Sequence, residues 1–485
     1  MASIDLAGEP ATRSSMKERV LGLPALTALV VGSMVGAGVF SLPQNMAAGA
    51  GVLAVLLGWV VTGIGIAALA LVYVRLAQRQ PELNAGPYAY ARAGFGPFIG
   101  FNSAWGYWLS AWIGNVSYAV VLFGAVGYFF DIFGEGNTLA AVIGASVMLW
   151  AIHALIAAGV RQAALVNLVT TIAKLAPIVL FVMVVIVGFK SDVFSLNWSG
   201  DGLGSVFEQM RSTMLVTLWV FIGVEGASVV SGRAKKRSDI GRATMYGFLF
   251  CLVLYALVSV LSYGTLTQAE LAELPNPSVA GVMEAVVGEW GAILINLALI
   301  VSVLGAFLAW TIFAAEIPYA AAKDGTMPRV FARENVSKTP ILSLWVTNLL
   351  VQLFLVFAYF AESTYQGLFY IASTAILVPY VFTGAYAAKL GLTGEAYRAG
   401  ERRGGDIAVG LVATIYGAWL VYAAGPQYLL MCALLYAPGI AVYIWARNEQ
   451  RQRSFTFFEI LLAIGLVAAA VVAAWLMIDG TISPL

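Results

Sequence analysis

The run from Ala28 to Gln44, ALVVGSMVGAGVFSLPQ, constrains the fold more than any other stretch of the chain. It is apolar enough for the core of a bilayer, yet Gly32, Gly36 and Gly38 interrupt it in mid-span and Pro43 follows. Each glycine costs about 1 kcal/mol relative to alanine inside a helix, so this cluster weakens the hydrogen-bond ladder at one place. If the helix opens around Gly36-Ala37-Gly38, its second half begins there with free main-chain N–H groups. Those donors and the helix dipole attract a carboxylate. Open main chain at membrane depth is tolerated only where it lines a cavity or is buried in protein. A second stretch, Leu218 to Gly232 (LWVFIGVEGASVVSG), is also apolar and is interrupted at Gly223-Val224-Glu225-Gly226. Paired interruptions in two halves of a membrane chain point to a transporter binding site. The alternative is that the glycines only let neighbouring helices approach. Glu225 weighs against that alternative, because a carboxyl group in hydrocarbon is costly and usually functional.

The 485 residues are 61% hydrophobic and 11% charged, against about 25% charged in soluble proteins. The chain is therefore expected to be an all-α polytopic membrane protein embedded in lipid, with no nucleic-acid partner. A spanning helix needs about 20 mostly apolar residues. Thirteen segments qualify: 25–45, 51–75, 97–130, 139–158, 164–188, 210–231, 242–264, 290–320, 341–361, 366–389, 407–424, 427–446 and 456–478. With the N-terminus placed in the cytoplasm, one side collects Arg75, Arg79, Arg92, Arg161, Arg233, Lys235, Lys236, Lys323, Arg329, Arg402 and Arg447, among others. The other side receives Lys190, Arg211 and a series of acids from Asp131 to Glu362. This asymmetry sets the orientation, and an odd count puts the C-terminus outside. No secretory leader is evident, so the first span is expected to be retained behind a disordered cytoplasmic tail at 1–16. Spans 6 to 10 echo spans 1 to 5, each set opening with a broken helix. Five spans per set place the two copies in opposite orientation, with repeats at about 25–188 and 210–390 in a core at 17–390, and peripheral helices at 407–478. Cys251 and Cys432 lie in apolar spans and read as packing residues.

The chain has no GxxxxGK[ST] motif and a single histidine, His153. Neither a metal nor a cofactor is expected, and transport would run on gradients or exchange. In span 3, Tyr107, Ala111 and Asn115 fall on one helical face. That face suits the wall of a polar cavity, or its aromatics belong to an interfacial belt. Trp219 stands one turn before the second break and Trp310 midway along span 8. The two can sandwich a cationic side chain or simply pack. Lys174 lies inside span 5, too deep to reach the surface easily. It either changes protonation during a transport cycle or holds a fixed interaction. Glu225 and Glu316 are the other candidate intramembrane charges. Nothing resembles a nucleophile, base and orienter set, so an enzyme is not expected.

The segments GSMVGAGVFSLPQNMA, NAGPYAYARAGFGPFIGFNSAWGYWLSAWIGN, LWVFIGVEGAS and WTIFAAEIPYAAAKDGTMP together resemble the amino acid–polyamine–organocation superfamily. Within it they are most similar to the arginine/ornithine branch of the basic amino acid/polyamine antiporters, over roughly residues 17–390. The resemblance implies a leucine-transporter-like five-plus-five inverted repeat with additional C-terminal helices, alternating access, a bacterial inner-membrane location and a homodimer. It implies that a substrate carboxylate meets Ser33, Gly36, Ala37 and Gly38, and that the α-amino group meets carbonyls of Trp219, Ile222 and Gly223. The side chain would lie between Trp219 and Trp310, with Tyr107 as a gate, Asn115 as a side-chain contact and Glu225 as a proton-sensitive or gating residue. Lys174 resembles the lysine of proton-coupled relatives. The expected activity is exchange of arginine for ornithine. A proton-coupled symporter, or a lysine/cadaverine or histidine/histamine exchanger, stands as the alternative.

Overall fold

A computed structural model describes residues 22–83, 86–159, 163–226, 235–361 and 364–482. The expected tail at 1–16 lies outside the described residues, as do Arg161, Arg233 and Glu362 of the charge pattern. The described residues form helices and connections, with no strand among them. Among the described residues, nine helices are long and apolar enough to cross a membrane, or ten if one bent pair counts as a single span.

That bent pair is the first glycine-interrupted run. Helix α1, Leu23–Met34, stops at Val35, whose backbone is extended at φ −76° and ψ 92°. The chain resumes as a 3₁₀ turn at Gly38–Ser41 and a short helix α2, Leu42–Ala47, with Pro43 in its first turn. The two halves are bent by 45°. Proline is tolerated there because first-turn N–H groups have no intrahelical acceptor. Helices α3 (Val52–Arg79), α4 (Pro87–Phe95), α5 (Pro97–Gly127), α6 (Leu139–Ala157) and α7 (Ala163–Gly188) follow. After a short α8 (Ser191–Leu196) comes α9, Val206–Phe221, which opens on a capping box between Ser205 and Glu208. Two main-chain N–H groups are satisfied reciprocally in that motif.

Helix α9 ends inside the apolar run, as the second glycine cluster requires. Ile222 turns extended, and Gly223 adopts φ +108°, a region that L side chains rarely enter. Beyond it lie α10 (Arg237–Ser262), α11 (Gln268–Glu273), α12 (Ser278–Val287) and the 35-residue α13 (Glu289–Lys323). Helices α14 (Ile341–Phe360), α15 (Tyr365–Ala375) and α16 (Leu377–Thr393) complete the expected core. Helix α17, Gly404–Glu449, runs for 46 residues but contains Gly425 at φ +74° and ψ 166°, followed by Pro426. At 1.5 Å per residue this is about 69 Å of helix, twice what one crossing needs. The break falls between the expected eleventh and twelfth segments. Helix α18, Phe457–Ile478, is last and exposes most of its apolar surface.

Among the described residues the count falls below thirteen because α17 enters once though Gly425 divides it between two expected segments, and α9 stops short at the second break. The connections also carry structure that hydropathy does not show. Helix α4 lies on the second connection, and α11 and α12 fold over α2. Their polar anchors are side chains reaching main chain. The Gln44 main-chain N–H donates to Ser278 Oγ at 3.1 Å, and Gln268 Nε2 donates to the Ala47 carbonyl at 2.6 Å.

The C-terminal helices pack against the core through glycine niches. The Tyr436 hydroxyl donates to the Ala375 carbonyl at 2.7 Å, where α15 meets α16. A Cβ on Gly106 of α5 would sit 1.6 Å from that same hydroxyl. Overfilling a packed site costs roughly 1–3 kcal/mol, and here the displaced hydroxyl also abandons its bond. Gly106→Ala is therefore expected to lower the thermal unfolding midpoint of the detergent-purified protein by several degrees. Scanning fluorimetry checks this, and an unchanged midpoint would remove the Tyr436 contact as a tie between α17 and α5.

Candidate functional site

The two breaks face each other. Ser33, in the last turn of α1, donates its hydroxyl to the Gly223 carbonyl at 2.9 Å and shares it with the Val30 carbonyl at 2.8 Å. A Cβ on Gly223 would stand 2.8 Å from the Ser33 carbonyl oxygen. Glycine is thus needed twice at this position, for its φ and for the close approach. Around the first break, the Val35 N–H reaches the Val31 carbonyl and the Phe40 N–H the Ala37 carbonyl. The N–H groups of Gly36, Ala37 and Gly38 have no main-chain acceptor among the described residues. Around the second break, the Gly223 carbonyl takes the Ser33 hydroxyl and the Gly226 N–H, and the Trp219 carbonyl takes the Ile222 N–H. The Ile222 carbonyl receives no main-chain donor among the described residues.

A small cavity lies beside the second break. Ser110, Ala111, Gly114 and Tyr118 of α5 form one wall, Trp219 and Ile222 a second, and Trp310 of α13 a third. Trp219 is fixed rather than free to turn. It stacks on Phe369 at 5.6 Å between centroids with 22° between planes, and its Nε1–H donates to the Tyr365 hydroxyl at 3.0 Å. Trp310 packs edge-on against Phe313 at 5.4 Å and stays half-buried. The two tryptophans therefore border one space, with a flat aromatic face available to a cation.

The expected face Tyr107–Ala111–Asn115 divides in the structure. Ala111 faces the cavity. Tyr107 instead donates its hydroxyl to Glu225 Oε1 at 2.6 Å, and Asn115 Nδ2 donates to Thr311 Oγ1 at 3.1 Å. The cavity-facing row is Ser110, Gly114 and Tyr118, one residue round the helix, which is about 100°. Gly114 matters because a Cβ there would come 3.1 Å from the Trp219 ring.

Both intramembrane charges of the core are tied to the breaks. Glu225, 1% exposed, also accepts the Tyr380 hydroxyl at 3.0 Å and the Gly223 N–H at 3.3 Å. Lys174, 2% exposed, donates from Nζ to the Gly32 carbonyl at 2.6 Å, near the negative end of α1. Glu316 is exposed on α13. His153 lies apart from the site, with Nδ1 3.0 Å from Asn348 Nδ2 and its ring 4.3 Å from that of Trp345. Cys251 and Cys432 are buried free thiols.

Two facing helix breaks beside a small aromatic cavity, within a bundle of apolar helices, are the plan of a membrane transporter. Residues 21–467 match the amino acid permease family model, and the chain belongs to that family. An arginine/ornithine antiporter of Pseudomonas aeruginosa is 51% identical over 477 residues, covering 96% of this chain and 99% of its own. An arginine/agmatine antiporter of Chlamydia caviae is 43% identical, covering 94% and 96%. A solved Na⁺-coupled sialic acid symporter, substrate-bound and outward-open, shares the fold with a TM-score of 0.51 at 12% identity, over 85% of this chain and 91% of that one. The leucine-transporter-like expectation stands as the fold class.

The geometry at Gly223 sets a test of the site. Gly223→Ala meets both the φ penalty and the Ser33 carbonyl, so the two breaks must separate. The expected outcome is at least a tenfold loss of substrate uptake into liposomes with normal membrane insertion. Uptake within twofold of wild type would show that the contact between breaks is dispensable.

Proposed function

We propose that this chain exchanges cationic amino acids across the inner membrane, arginine against ornithine, by alternating access. The single observation that carries the reading is the cavity lined by Trp219, Trp310 and Ile222 of the second break, with Tyr118 reaching from its wall to Gly36 of the first. The N–H groups at Gly36–Gly38 and the carbonyl at Ile222, which have no main-chain partner among the described residues, suit a carboxylate and an ammonium respectively. The indole faces suit a cationic arm. The names of the antiporter relatives support the same substrate class. Exchange of two ligands of equal charge is electroneutral and consumes no ATP.

In this reading the repeats at about 25–188 and 210–390 build the moving core, and the helices at 407–478 brace it from outside. The lysine and arginine distribution supports a cytoplasmic N-terminus. Glu225 serves as a gate latch. Its carboxyl group gathers hydroxyls from Tyr107 on α5 and Tyr380 on α16 at the second break. Parting those bonds would open one route to the cavity, and substrate binding would re-form them. A proton-coupled symporter is the second reading, and the Lys174 bond to Gly32 favours it, since protonation there would bear directly on the first break.

Counterflow in proteoliposomes separates the two. Vesicles loaded with labelled arginine should release it only when external arginine or ornithine is present, and a pH gradient alone should not drive uptake. Release without external substrate, or uptake driven by pH alone, would replace exchange by symport. Within the exchange cycle, Trp310→Ala should raise the half-saturating arginine concentration about five- to thirtyfold, the loss of a desolvated cation–π contact of roughly 1–2 kcal/mol. An unchanged value would remove Trp310 from the substrate's cationic end.

A further inference from the structure

Tyr118 brings a phenolic hydroxyl to the cavity wall. Tyr118 is 7% exposed and lines the cavity in the same row as Ser110 and Gly114. Its ring leans on Trp219, with centroids 5.7 Å apart and planes at 59°. Its oxygen lies over the first break, because a Cβ on Gly36 would be 2.5 Å from it. Among the described residues that hydroxyl makes no hydrogen bond.

The break itself reads Val35-Gly36-Ala37-Gly38, with no polar side chain. Ser33, the hydroxyl just before it, is spent on the Val30 and Gly223 carbonyls. The first break therefore offers a carboxylate only main-chain N–H groups. A carboxylate has about four lone-pair sites on two oxygens, more than those few donors can reach from one side.

We propose that Tyr118 donates its phenolic hydrogen to the substrate's α-carboxylate at the Gly36–Gly38 break, and so makes this cavity select amino acids over the amines left by their decarboxylation. The inference rests on the reading above, that the carboxylate is held at the first break. It bears on the exchange partner. A site that holds the carboxylate from both sides favours ornithine, which has one, over agmatine, which does not. Tyr118 acts here as a substrate-contacting, specificity-determining residue.

The test is displacement of labelled arginine by arginine, ornithine and agmatine, on purified wild-type protein and on Tyr118→Phe. Phenylalanine keeps the ring against Trp219, and the unfolding midpoint of each protein is measured alongside to confirm the fold. A hydrogen bond to a charged acceptor is among the stronger ones. Tyr118→Phe should weaken arginine and ornithine about tenfold and leave agmatine within twofold, so the arginine-to-agmatine preference falls about tenfold. An equal loss for all three ligands would show a packing role, and no loss would show no role; either overturns the proposal while leaving the exchange reading intact. If wild-type protein fails to bind arginine at all, the substrate reading falls and this inference with it.

Discussion

One serine hydroxyl joins two interrupted helices, and the site depends on that bond. Where Ser33 meets the Gly223 carbonyl at 2.9 Å, a carbonyl that already takes the Gly226 N–H gains a second donor from the opposite half of the chain. A hydrogen bond of this kind contributes about 0.5–1.5 kcal/mol net, so each break steadies the other. The bond also fixes which groups remain open. Val31 and Ala37 carbonyls take local donors, while the N–H groups of Gly36, Ala37 and Gly38 do not find main-chain acceptors among the described residues. An anion-seeking surface results from ordinary hydrogen-bond accounting at a helix interruption.

Charge inside the bundle follows the same breaks. Lys174 reaches the Gly32 carbonyl, at the end of α1 where the helix dipole favours a cation. Glu225 sits two residues past Gly223 and gathers two tyrosine hydroxyls and a main-chain N–H. Each group makes hydrogen bonds at or beside one of the breaks. Any motion that re-forms either helix would therefore disturb both groups. Stable ion pairs occur instead at the helix ends, where Arg75 and Arg79 meet Asp406. Those contacts fasten the start of α17 to the end of α3, away from the cavity.

Much of this fold was legible because the membrane leaves few options for an apolar chain. Long apolar runs must be helices, and glycines in mid-span mark where two of them open. The break at Gly425 was legible too, from Gly-Pro between two apolar segments. Less was legible where a short polar segment takes its structure from tertiary contacts. Helices α11 and α12 form over α2 through Gln44, Gln268 and Ser278, and no local periodicity announces that. The site shows the limit most clearly on α5. Periodicity marked α5 as a cavity-facing helix, and there Ala111 lines the cavity together with Ser110, Gly114 and Tyr118 from the neighbouring row. One residue of offset exchanges one face for the next. The signal that could have set it is Gly114, a glycine at the one place on that helix where the Trp219 ring needs room.

The most direct measurement of the central claim is a density map of the protein with arginine bound, at a resolution that separates carboxylate from guanidinium. The account predicts the carboxylate within hydrogen-bond distance of the Gly36, Ala37 or Gly38 nitrogen atoms, and the guanidinium beside Trp310. Arginine bound elsewhere, or bound with continuous helix through Gly36 and Gly223, would contradict it.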